Sequence, residues 1–195
     1  MNVAFGLRAH SGWAALVVLG KQRDEFVVID RRRIELVEEP WAKQPYHAAE
    51  TLEREVAQKL VRRGIDGAGR LALREMKAAI KRESDRQNKV ISCAVVVGAP
   101  MPDWNTAEIL AVHFRMHKAE GALFQNALVW AAEKCKLKTL PVLEKELMAQ
   151  ASRQLGMRDE LLVKKIAMLG KSVGSPWGKD QKDAALVAFM ALQQA

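Results

Sequence analysis

The run Lys89-Val90-Ile91-Ser92-Cys93-Ala94-Val95-Val96-Val97 is apolar almost throughout and does not alternate. A strand with one wet face alternates apolar and polar residues. An unbroken run, rich in β-branched side chains, is how a strand covered on both faces reads. A sheet with helices on its two sides is therefore expected around it. Downstream, Gly98-Ala99-Pro100-Met101-Pro102 reads as a loop. Residues 106–135 read as a helix with a break near Lys118, and 136–142 as a short strand ended by Pro141. Helices follow over 143–155 and 159–169, separated by Gly156, then a loop over 170–178 and a last helix over 180–194.

Upstream, residues 68–86 form a helix with Leu73, Met76 and Ile80 as its apolar stripe. Residues 47–63 form another on Leu52, Val56 and Leu60, stopped by Gly64. Pro40 and Pro45 interrupt what precedes. Three strands come first, over 3–7, 13–19 and 25–37, with a Gly-containing hairpin link over 8–12 and a turn over 20–24. Three antiparallel strands, then strands alternating with helices, argue for an α/β fold. The expected architecture is a mixed five-stranded sheet flanked by helices.

The chain has 195 residues, 49% of them hydrophobic, which suits a single domain over 1–195. Lys and Arg outnumber Asp and Glu by 31 to 23, a formal charge of +8. That excess favours an anionic partner, nucleic acid first. The two cysteines, Cys93 and Cys135, have no metal-ligand spacing, and reduced thiols in a cytoplasmic protein are expected. No stretch approaches the roughly 20 apolar residues of a membrane span. Met1-Asn2-Val3-Ala4-Phe5 lacks the basic start of a signal peptide.

The segment Ser175-Pro176-Trp177-Gly178-Lys179-Asp180-Gln181-Lys182-Asp183 runs into the apolar Ala184-Ala185-Leu186. Two aspartates three apart share one face at the mouth of a buried helix, where they act as a cap or as half of a metal site. With this element order, Asp180-x-x-Asp183-Ala184-Ala185-Leu186 resembles the RuvC-type Holliday junction resolvases, within the ribonuclease H-like superfamily. There a similar pair opens the last helix and completes a carboxylate cluster holding two divalent metals for phosphodiester hydrolysis. Mg²⁺ prefers carboxylate oxygens, and a pair of such ions activates the attacking water and stabilises the leaving oxygen. The resemblance implies a ribonuclease H-like fold, Mg²⁺ or Mn²⁺ as cofactor, and nucleic acid as partner, DNA ahead of RNA. A second copy of the chain is a further expected partner. Two positions depart from the pattern. Gly6-Leu7-Arg8 carries a base where the family has its first acid, and Val97 is followed by Gly98-Ala99-Pro100 where the family has a Glu.

Other residues are candidates to complete the site. His113, His117 and Glu120 stand at i, i+4 and i+7, one face of an unbroken helix, where they supply a metal ligand or a general base, or simply a solvated surface. His10 lies in the first hairpin beside Arg8, at a good place for a site or as an ordinary polar turn. The expected metal ligands are Asp180, Asp183 and Glu120, and the expected catalytic groups Glu120, His117 and His10. Arg70, Arg74, Lys77 and Lys81 recur at helical spacing and form a row of cations suited to phosphates, or a solvated face. The functions in play are metal-dependent hydrolysis of nucleic acid, and nucleic-acid binding on the same fold without catalysis.

Overall fold

The computed structural model describes residues 1–23 and 25–194. The expected turn over 20–24 includes Asp24, which lies outside the described residues. The strands are β1 (Asn2–His10), β2 (Trp13–Gln22), β3 (Glu25–Glu35), β4 (Lys89–Val97) and β5 (Lys138–Leu143). They form one sheet in the order β3-β2-β1-β4-β5. β1, β2 and β3 are antiparallel neighbours, while β4 and β5 run parallel to β1. This is the mixed five-stranded sheet expected of the ribonuclease H-like fold.

The helices are α1 (Pro45–Ala49), α2 (Arg54–Asp85), α3 (Thr106–Leu110), α4 (His113–Lys134), α5 (Leu147–Leu155), α6 (Asp159–Val173) and α7 (Lys179–Gln193). Side chains alternate across a strand, so the two faces of the sheet collect different residues. Val3, Phe5, Leu7, Cys93 and Val95 face α2 and α4. Ala4, Ala94 and Val96 face α7, with α5 and α6 packed beside it, against β5 and β3. β4 thus has both faces covered, as its unbroken apolar run requires. Complete burial of a side chain the size of Phe5 or Leu7 stabilises by about 1.5–3 kcal/mol.

α7 lies directly on β1 at Gly6. A Cβ there would stand 1.8 Å from the Ala184 carbonyl oxygen and 2.8 Å from Ala188 Cβ. Hydrogen is thus the only side chain that lets this helix reach the sheet. A second pin is the Ser92 hydroxyl, which donates to Ala191 O at 2.9 Å. At the other end of the approach, Arg31 on β3 donates to the carbonyls of Val173 (3.0 Å), Ser175 (2.8 Å) and Pro176. The loop into α7 is thereby tied to the far edge of the sheet.

Three expectations about element boundaries need correction. α2 runs unbroken through Gly64, because that glycine serves packing rather than termination: a Cβ there would meet Pro45 Cβ at 2.7 Å. Its buried face is Ala57, Val61, Ala68, Leu71, Ala72 and Met76, while Leu52 and Val56 are exposed. The break between the two helices after β4 falls at Ala111–Val112, not near Lys118. Pro141 lies inside β5 rather than ending it, because β5 is an edge strand and tolerates a missing donor. Among the described residues, no helix is long and apolar enough to cross a membrane.

Candidate functional site

β1, β4 and β5 are parallel and end together: Arg8 lies opposite Val96, and Val97 opposite Leu143. In open α/β sheets this end, beyond the carboxyl termini of the strands, is where sites are built. Arg8 has the same parity on β1 as Ala4 and Gly6, so it points toward α7. Its side chain is 13% exposed, and its three nitrogens address three different carboxylates. Nη2 bonds Glu144 Oε1 at 2.6 Å, Nη1 lies 3.1 Å from Asp183 Oδ2, and Nε lies 3.4 Å from Asp180 Oδ1. Nε is buried and has no aligned hydrogen-bond acceptor.

Two more groups complete the cluster. Lys179 Nζ donates to Asp183 Oδ2 at 2.7 Å and to Glu144 Oε1 at 3.3 Å. His10 Nε2 lies 2.8 Å from Asp180 Oδ1, with its ring stacked 4.5 Å from that of Trp13. The hydrogen bond from Arg8 holds the Glu144 carboxyl below its ordinary value of 4.5, and the bond to Asp183 holds the Lys179 ammonium above 10.5. Neither aspartate caps α7. The helix starts after Gly178, whose N–H donates at 3.0 Å to the side chain of Gln181 reaching back. Both aspartates turn to Arg8 instead.

The donor set alone would suit a hard divalent cation: Glu144, Asp180 and Asp183 are carboxylates converging at one sheet end. The geometry between them does not. The guanidinium, a permanent cation, lies within 2.6–3.4 Å of all three carboxylates, and it would repel a divalent ion brought to the same oxygens. Asp180 and Asp183 are therefore not arranged in this structure to hold Mg²⁺ or Mn²⁺.

Of the expected site residues, the fold brings His10, Asp180 and Asp183 together. Glu120 and His117 are elsewhere, in the helical layer across the sheet. Glu120 is 5% exposed. Its Oε1 accepts from the backbone N–H of Tyr46 at 3.1 Å and of His47 at 3.0 Å, and its Oε2 lies 2.7 Å from His47 Nδ1. α1 has no side-chain cap of its own, so Glu120 supplies from α4 what an N-cap residue would. His117 lies beside His113 and His47. Glu144 was not among the expected residues, since it sits in a stretch that reads as the start of a helix. The signal that would have found it is position: it is the first residue beyond β5. Gly98, the corresponding residue after β4, gives only its N–H, to Gln125 Oε1 at 2.7 Å.

Trp177 is structural. Its ring covers Gly170, where a Cβ would stand 2.2 Å from the indole, and its Nε1 donates to Ile166 O at 3.0 Å. Arg70, Arg74, Lys77 and Lys81 share one exposed face of α2. Arg70 and Arg74 reach Glu38 at 4.0 and 3.5 Å, and Lys81 reaches Asp85 at 2.8 Å. Such exposed pairs are worth about 0–1 kcal/mol and give way readily to another anion.

The sequence matches no protein-family profile and no curated protein. Similar folds occur in RuvC of Thermus thermophilus, at 11% identity and a TM-score of 0.47 over 96% of this chain and 92% of that one. The same protein in complex with a Holliday junction substrate gives 9% and 0.47, over 97% and 92%. A Ppx/GppA family protein of Aquifex aeolicus gives 10% and 0.38, over 76% of this chain and 37% of its own length. The fold assignment rests on the strand order and pairing described above.

Proposed function

We propose that this protein is a ribonuclease H-like nucleic-acid-binding protein, DNA ahead of RNA, whose carboxylate centre is closed by Arg8 and does not hydrolyse phosphodiesters. The observation that carries the second half is the contact of one guanidinium with Glu144, Asp180 and Asp183 together. Hydrolysis on this fold would need those oxygens for metal ions. The net charge of +8 and the exposed cation row on α2 support binding. That row lies in the helical layer across the sheet from α7, so a strand held there would not lie over Arg8.

The test has two arms. In the first, thermal unfolding is followed with added Mg²⁺ or Mn²⁺. Wild type is expected not to shift, whereas Arg8→Asp gains a divalent-dependent rise in Tm. Cleavage of junction, duplex or single-stranded substrates by wild type in either ion would overturn the closed-centre reading. In the second, fluorescence anisotropy follows binding of labelled DNA and RNA across a salt series. Affinity should fall linearly in log salt, and Arg74→Ala with Lys77→Ala should lower the slope by about one per lost phosphate contact. An unchanged slope would remove α2 as the docking face.

A further inference from the structure

We propose that His47, His113 and His117 form a binding site for a divalent transition metal of the zinc class. One nitrogen from each ring lies within 4.8 Å of the other two. His113 and His117 are one turn apart at the start of α4, and their Nε2 atoms are 3.1 Å apart. Two nitrogens bound to one Zn²⁺ at about 2.0–2.1 Å in tetrahedral geometry stand roughly 3.3 Å apart, so this pair already has ligand spacing. No two of the rings stack: they cross at 89° for His113 with His117, 88° for His47 with His113 and 53° for His47 with His117. Stacked rings could not aim their nitrogens at one point; crossed rings can.

The carboxylates behind the rings strengthen the assignment. Glu120 occupies His47 Nδ1 at 2.7 Å, which leaves Nε2 of that ring for the cluster. Glu50 Oε1 stands 3.7 Å from His113 Nδ1. A metal-bound imidazole commonly has its other nitrogen backed by a carboxylate, which fixes the tautomer and raises ligand basicity. A hydrogen bond between His113 and His117 would explain their short separation, but it would not call for a third ring or for acids behind two of the three. Imidazole nitrogen selects Zn²⁺, Cu²⁺ or Ni²⁺ over Mg²⁺ and Ca²⁺. Three protein ligands leave a fourth position for water or an anion.

The experiment is a titration of tag-free protein with Co²⁺ alone, read by visible absorption, followed by displacement with Zn²⁺. One Co²⁺ per chain is expected, with the intense bands of a low-coordinate site that Zn²⁺ removes. His113→Ala and His117→Ala should each weaken binding by about 100-fold or more. Both side chains are exposed, so folding is expected to survive and circular dichroism confirms it. Glu50→Gln should weaken binding by about tenfold, at the lower end for a residue that orients a ligand. Asp183→Asn should leave it unchanged, which separates this site from the Arg8 centre. Absence of stoichiometric Co²⁺ binding by wild type, or undiminished binding by His113→Ala, would overturn the assignment.

Discussion

The two sides of the sheet handle charge in opposite ways. Toward α7, three carboxylates face inward and the chain supplies their cation from β1, as Arg8. Toward α1 and α4, three imidazoles face one another and the carboxylates Glu120 and Glu50 stand behind them. Both regions set acids within 4 Å of nitrogen bases. The order of the layers differs. Acids around a permanent cation make a closed centre; acids behind imidazoles raise the affinity of those rings for something else. A count of titratable residues alone would not tell the two apart.

The contrast can be broken most severely at Gly6. Gly6→Ala drives a Cβ into the Ala184 carbonyl and must lift α7 from β1, pulling Asp180 and Asp183 away from Arg8. Overpacking against a fixed backbone is expected to cost about 3 kcal/mol or more, read as a lower urea midpoint. Next comes Arg8→Met, which keeps the stem and removes the charge. Three acids then share one end of the sheet. Because Asp180 and Glu144 are partly exposed, the expected loss is about 2–3 kcal/mol, below that for a fully buried pair. A stability equal to wild type would show that Arg8 does not hold the centre together. Across the sheet, Glu120→Gln keeps the shape but weakens the charge-assisted bonds to the Tyr46 and His47 N–H groups. A loss of about 1–2 kcal/mol is expected, also by urea unfolding.

The smallest effect is a pH dependence. The folded-state pKa of Glu144 is depressed, so its contribution is present above the ordinary carboxylate value of 4.5 and is lost as pH falls below it. For Lys179 the sign reverses: its raised pKa gives a contribution that is complete below 10.5 and fades above it. With Glu144 nearly half exposed, its share is expected to stay under about 1 kcal/mol. Glu144→Gln should therefore lower Tm modestly at neutral pH, where the contribution is present, and flatten the acid limb of the Tm–pH curve until the two proteins converge at low pH. An unchanged acid limb would show that the Arg8–Glu144 bond does not persist in solution.

The fold was legible where burial leaves a pattern in the residues. β4 could be read because a strand covered twice has no polar face to show, and the first three strands because their links carry glycine and charge. α2 was misread at Gly64 because a helix-stopping glycine and a glycine under a crossing proline look alike in one dimension. The Arg8 centre was half legible. The acid pair on α7 and the basic residue on β1 could both be quoted from the chain, but their contact depends on strand register, and Glu144 enters only once β5 is known to extend through Pro141. Glu120 and His117 were expected near Asp180 because helical spacing fixes which residues share a face without saying what that face meets. His47 lies more than 60 residues before its partners, and only the fold of α1 onto α4 joins them.

An ion held by carboxylates exchanges with the medium, and a chelator can strip it. A guanidinium carried on β1 can be neither diluted nor chelated. The junction of the last helix with the first strand is therefore expected to keep its register in solutions free of divalent ions, with a counterion that travels with the backbone.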